Sequence, residues 1–189
     1  LNAHRDGLDA MRRNIDAWWP LLEQGAEGIL VNASGCGAVV KEYGELLADD
    51  PAYAEKARRV SELACDPVEV LATTDLDPLG SPGGGRRLAF HAPCTLQHAQ
   101  GLGSRVESIL ARLGFRLTRV PNGHLCCGSA GTYSITQPEL SSRLRGQKLE
   151  ALQCGEPEVI ATANVGCQLH LEAGAGGPVF HWLELIDPG

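Results

Sequence analysis

At 189 residues the chain is long enough for one sizeable core or for two small domains of about 100 residues, and 43% apolar content is ordinary for a globular protein. A formal net charge of −7 with a pI near 5.3 argues against nucleic acid or anionic lipid as the main partner. No stretch approaches the roughly 18 apolar residues of a membrane span, and the first residues show no signal-peptide pattern.

Positions 5–23 (RDGLDAMRRNIDAWWPLLE) carry apolar residues at helical spacing, Leu8, Met11, Ile15, Trp18 and Leu22, and Pro20 is expected to kink or interrupt that helix near its end. GILVNASG follows as a short apolar run that suits a buried strand feeding a loop. AVVKEYGELLA reads as a helix, Pro51 opens another through about Ala64, and a short one starts after Asp66–Pro67. TTDLDPLGSPGGGRR, dense in proline and glycine, has linker composition. It sets the expected domains: 1–80, a linker at 81–86, and 87–189. In the second half RLAFHAP is a strand running into a loop, and SRVESILARLG an amphipathic helix closed by Gly114. FRLTRV is a strand, interrupted by PNGHLCCGSAG. PELSSRLRGQKLEALQ is a helix with Pro138 in its first turn. EVIATANVG is a strand, and GPVFHWLELI a final strand and helix. Strand–helix alternation predicts an α/β fold with parallel sheets flanked by helices.

Seven cysteines, an odd number without a secretory signal, read as intracellular thiols rather than a disulfide framework. Cys65 and Cys154, at expected helix ends, read as small buried hydrophobes. Cys36, Cys94, Cys126, Cys127 and Cys167 each sit beside Gly or Pro in expected loops, just after strands, where open α/β sheets bind ligands. The two halves also resemble each other. Setting Cys36 against Cys167 pairs ILVNASGCGAVVKEYG with IATANVGCQLHLEAG, matching Ile29 to Ile160 and Gly35 to Gly166. The shared order of helix, strand, small-residue loop and Cys implies a duplicated unit. On that basis the first repeat is expected to be truncated, with its own paired cysteines upstream of Leu1.

In the second repeat, Cys94 is followed after 31 residues by Cys126–Cys127, after 39 more by Cys167, and after two more by His170. Thiolates and an imidazole converging on one sheet edge suit zinc or iron–sulfur irons and exclude magnesium and calcium. Zinc sites usually use compact Cys-x-x-Cys pairs, which the chain lacks. Adjacent cysteines resist bonding to each other but can serve separate metals of one multinuclear cluster. Gly123, Gly128, Gly131 and Gly166 would let backbone pass close to such a cofactor.

The pattern APC–x31–CCG–x39–CQLH resembles the cysteine-rich CCG domain of heterodisulfide reductases and their relatives, in which two Rossmann-like domains occur in tandem. The family motif ends in Cys-x-x-Cys, and here His170 stands at the final cysteine position. Within that family, VNASGCGAVVKEYG, CCGSAGTYSITQPEL and ATANVGCQLHL are most similar to iron–sulfur subunits of glycolate oxidases. The resemblance covers nearly the whole chain and corresponds to the C-terminal part of such a subunit, without its N-terminal ferredoxin-like region. It implies tandem CCG repeats, the first truncated, and a [4Fe–4S]-type cluster held by Cys94, Cys126, Cys127 and Cys167. His170 joins the ligands if a helix starts near Cys167, and is otherwise a supporting or solvent-facing histidine. Cys36 holds the third ligand position of the first repeat, with Val39 where a last cysteine would be. It is either a ligand completed by upstream residues or a vestige. His91, His98 and His124 are each either hydrogen-bond donors or proton relays to the cluster, or satisfied loop histidines. His181 is assigned no role, and Tyr133 and Asn164 are placed to line a pocket.

The resemblance further implies an electron-transfer subunit of a glycolate (2-hydroxyacid) oxidising complex, passing electrons from a flavin subunit toward a quinone. Such a chain would be an oxidoreductase subunit rather than a complete catalyst. The expected location is cytoplasmic, with any membrane contact peripheral at the inner face. Alternatives are a lactate or glycerol-3-phosphate oxidising relative, a disulfide reductase, or a zinc-stabilised or metal-free docking domain.

Overall fold

A computed structural model describes residues 3–186; residues 1, 2 and 187–189, the outermost ends of both expected domains, lie outside it. The chain divides into two compact units, Leu1–Pro67 and Val68–Gly189.

The first unit runs α1 (His4–Glu23), β1 (Ile29–Leu30), α2 (Ser34–Lys41), α3 (Tyr43–Leu46), α4 (Ala54–Leu63) and β2 (Ala64–Cys65). β1 and β2 pair in parallel, Ile29 opposite Ala64 and Leu30 opposite Cys65. Helical spacing buries Ile15 of α1 against Val40, Tyr43, Ala57 and Val60. Three expectations change here. α1 is not interrupted at Pro20 but continues to Glu23, the missing proline N–H costing the ladder one hydrogen bond in its last turn. GILVNASG contributes only a two-residue strand, and Leu30 is 61% exposed rather than buried. Cys65 lies on β2, not at a helix end, its thiol directed to the Ile29 carbonyl at 3.8 Å.

The second unit contains α5 (Pro67–Leu71, opening at the division), β3 (Arg87–His91), α6 (Arg105–Arg112), β4 (Arg116–Leu117) and α7 (Tyr133–Thr136). It continues with α8 (Pro138–Gln153), β5 (Val159–Thr162), α9 (Val165–Ala175) and β6 (Val179–His181). Its sheet is fully parallel in the order β4-β3-β5-β6. β3 and β5 are central, which explains the uninterrupted burial of Leu88, Ala89, Phe90 and His91, since helices cover both faces of such a sheet. One face packs Leu88, Phe90 and Ala161 against Val106, Ile109 and Leu110 of α6 and against Trp182; on the other, Ala89 meets Leu149, Leu152 and Leu171. The final helix expected after β6 is a short 3-10 turn, Trp182–Leu185.

The glycine-rich stretch 81–86 is packed against this unit rather than standing free. Gly83 N–H donates to Leu113 O and Gly85 N–H to Gly114 O, both at 2.9 Å. A Cβ on Gly83 would come within 2.4 Å of Phe115 N, so only glycine allows this approach. Val68 and Leu76 belong to the second core, so by packing residues 68–80 go with the second unit, whereas the sequence places them with the first half.

Candidate metal centre

Parallel strands deliver their following loops to one edge, and here three loops bring four thiols there. β3 leads through Ala92–Pro93 to Cys94, which opens a π-helical turn, Thr95–Ala99. The segment after β4 carries Cys126 and Cys127, and β5 leads to Cys167 at the third position of α9. All seven cysteines are free thiols; Cys127 and Cys167 are buried, Cys94 and Cys126 half-buried.

The four sulfurs lie close enough to shift one another's proton affinities, in alternating directions. Cys94 donates to Cys126, and this together with burial raises its pKa strongly. Cys126 is held far below the ordinary thiol range by the Cys127 and Cys94 hydrogens and by Gly128 N–H, 3.3 Å from its Sγ. Cys127 lies between Cys126 and Cys167 and is pushed up by these two neighbours and by burial, its single proton serving one of them at a time. Cys167 is lowered to about 5, first by the Cys127 hydrogen and then by His91 and Asn164, whose Nδ2 lies 3.5 Å from Sγ. The N-terminus of α9 adds its dipole in the same direction. Lys148, only 2% exposed, donates from Nζ to Gly123 O at 3.1 Å and Asn122 O at 3.3 Å. Burial lowers its pKa while the four sulfurs raise it. Four convergent sulfurs are a donor set for soft metals, and the Lys148 ammonium beside them offsets negative charge.

Gly128 lets the loop turn back onto α8. Its φ is +94°, and an added Cβ would lie 2.5 Å from Ser141 O. Ser141 Oγ donates to Gly128 O at 2.8 Å. A hydroxyl has one proton, so the 3.2 Å contact between Ser141 Oγ and His170 Nε2 runs from His170 as donor. A helix does start near Cys167, as His170's candidacy requires, yet its Nε2 is occupied holding Ser141 and through it the CCG loop. Cys36 belongs to the first unit, exposed at the third position of α2 beside a groove of about 510 Å³. No group of three convergent ligand atoms includes it among the described residues.

The histidines separate. His98 and His124 are exposed and line a cavity of about 470 Å³ with Glu107 and Gln97. His181 caps the last turn, its Nδ1 accepting from Leu183 N–H. His91 is 1% exposed, and its ring lies with Cys127 Sγ and Cys167 Sγ, ligand atoms all within 4.8 Å of one another. Sequence proximity pairs His91 with Cys94, but its true neighbour is Cys167. The parallel register that sets His91 opposite Thr162 is the signal that would have shown it. Cys154 follows α8 and is exposed, so it is not the buried hydrophobe expected. A cleft of about 430 Å³, lined by Leu125, Cys126, Leu144 and Lys148, opens beside the thiols.

Residues 88–172, which carry all four thiols, match the cysteine-rich CCG domain family. The second unit carries a CCG domain. The chain is 57% identical over 187 residues, 99% of its length, to the glycolate oxidase iron-sulfur subunit of Escherichia coli (strain K12), and covers 46% of that protein. It is 30% identical over 89% of its length to the probable glycolate oxidase iron-sulfur subunit of Bacillus subtilis (strain 168), covering 38% of it. Lactate utilization protein A of Bacillus licheniformis is 26% identical over 97% of the chain, which covers 77% of that protein. The chain thus spans less than half of the glycolate oxidase relatives it matches. No helix among the described residues is long and apolar enough to cross a membrane.

Proposed function

We propose that Cys94, Cys126, Cys127 and Cys167 hold an iron–sulfur cluster of the [4Fe–4S] type, and that the protein is an electron-transfer subunit of a 2-hydroxyacid oxidising complex. The observation that carries this is the convergence of four free thiols from three loops at one sheet edge. When bound, the cluster supplies one-electron chemistry, which lets a two-electron oxidation be passed on in single steps. The chain's residues do the rest. Cys126 and Cys167 offer ready thiolates, Cys94 and Cys127 release protons on ligation, Lys148 offsets charge, and Gly128 with Ser141 and His170 fixes the loop. The relatives' names favour glycolate as the substrate of the complex; in the proposed complex a flavin subunit oxidises it and a quinone takes the electrons. We read the first unit as related to the second by duplication, because Cys36 and Cys167 each stand third in a helix that follows a parallel strand.

Protein purified without oxygen is expected to contain iron and acid-labile sulfide in near-equal amounts and to absorb broadly in the visible. Colourless protein with stoichiometric zinc would instead make the domain a zinc-stabilised docking module. The cleft beside half-buried Cys126 supports a second reading, in which a small disulfide takes up two electrons and two protons at this site to give two thiols. Release of thiols from such a disulfide by reduced protein would favour it.

A further inference from the structure

The four cysteines leave one buried ligand-type group unexplained. His91 ends the central strand β3 with its ring 1% exposed; neither Nδ1 nor Nε2 meets a partner in hydrogen-bonding geometry, and the Cys167 sulfur whose pKa the ring lowers is only a close neighbour. Burying an imidazole strips water from both nitrogens, and folded proteins ordinarily recover that loss with a partner. The surroundings offer sulfur: a ring nitrogen and the Sγ atoms of Cys127 and Cys167 lie within 4.8 Å of one another, a spacing suited to atoms around a metal. The backbone there is rigid, since His91 pairs with Thr162 across the sheet and its carbonyl accepts from Thr162 Oγ1 at 3.0 Å. The ring is therefore set by a central strand and not by a loop. His170 differs in each respect: it is only partly buried, its Nε2 proton is spent on Ser141, and it stands outside the group of converging ligand atoms.

We propose that His91, rather than His170, supplies an imidazole ligand to the metal centre held by the four cysteines. This rests on the cluster reading above. The family's final thiolate position, filled here by His170, is then a support for the CCG loop, and the fifth protein donor comes from the end of β3. A neutral imidazole among thiolates lowers the negative charge of the centre, which raises its reduction potential.

The test is nitrogen hyperfine spectroscopy on anaerobically purified, paramagnetic protein labelled with 15N-histidine. The expected result is the large coupling of a directly bound nitrogen, retained in His170→Gln and lost in His91→Cys. His91→Cys also places a thiolate at the strand end and should lower the midpoint potential while keeping iron and sulfide. His91→Leu, which removes the two orphan nitrogens without needing the cluster, should leave the metal-free protein at least as resistant to urea while losing the coupling. Protein with iron and sulfide but no histidine coupling, or only the weak coupling of a hydrogen-bonded nitrogen, would overturn the assignment and leave the cluster reading standing. Coupling that survives in His91→Cys, or vanishes in His170→Gln, would overturn it too. Absence of iron and sulfide would overturn both.

Discussion

Gly128 and Gly131 frame the turn that follows the paired cysteines, and comparing them isolates what holds that loop. Both have left-handed backbones, φ +94° and +61°, so an alanine at either site incurs about 1–2 kcal/mol of conformational strain. Around Gly131 nothing lies within 4 Å of an added Cβ, and Gly131→Ala should cost no more than that strain. At Gly128 the Cβ would meet Ser141 O at 2.5 Å, Leu144 Cβ at 3.0 Å and Ser141 C at 3.2 Å. The first of these is backbone of α8 and cannot rotate away. Overpacking of this kind adds about 1–3 kcal/mol, so Gly128→Ala should cost about 2–5 kcal/mol in all. That is a large share of the roughly 5–15 kcal/mol that holds a domain folded. With a urea slope of about 2 kcal/mol per M, the two variants should differ by about 1 M in midpoint. The assay is urea unfolding of metal-free protein, paired with iron content after anaerobic purification. Gly128→Ala should also retain less iron, because relieving the clash moves Ser141 away from the Gly128 carbonyl and from His170. Equal midpoints for the two alanine variants would refute the claim that close approach to α8 sets the loop.

Lys148→Met should lower the midpoint potential of the centre, since it removes a buried cation whose field reaches all four sulfurs; an unchanged redox titration at full iron content would count against Lys148 as a charge partner. Glu107, half-buried on α6, has its pKa raised from 4.5 by burial. The protonated form is therefore the one the fold favours, and its contribution is present below the unfolded value and lost as pH rises through the folded one. Glu107→Gln should accordingly match the parent near pH 4 and exceed it in urea midpoint near pH 7, and a constant difference across that range would contradict the assignment.

The elements legible in the sequence are those whose local signals agree with their packing. α8 spans the expected PELSSRLRGQKLEALQ, because Pro138 at its first position marks the start and the chain after Gln153 turns at Cys154–Gly155. β3 and β5 are legible for the same reason: a central parallel strand carries an apolar run, Leu88–Phe90 in one and Val159–Ala161 in the other. What the sequence hides depends on partners distant along the chain. FRLTRV has strand composition, yet only Arg116 and Leu117 pair, because β4 is an edge strand whose continuation bends toward the cysteine loop. The glycines of 81–86 look like a linker to any composition rule, and only the close approach of Gly114 and Phe115 shows them to be packed. The thiol set is visible through spacing, but the roles of the two histidines are not. His170 stands out because it replaces a cysteine, whereas the burial of His91 follows from the register of β3 on β5.

That register also bears on how the site manages charge. Four thiolates brought together would repel strongly in a partly buried pocket, and the surroundings favour protons on Cys94 and Cys127 over Cys126 and Cys167. The remaining two negative charges face Gly128 N–H, the α9 N-terminus and the Lys148 cation, each fixed by backbone already committed to the fold. The pocket is thus arranged for anionic sulfur in the metal-free protein, so the proposed cluster would not need to reorganise the sheet edge. Adjacent cysteines are what make this economy possible. Cys127 turns inward to the core and Cys167 while Cys126 turns toward Cys94 and the open cleft. One tight loop joins the buried and the exposed sides of the site, with Cys126 at the open cleft.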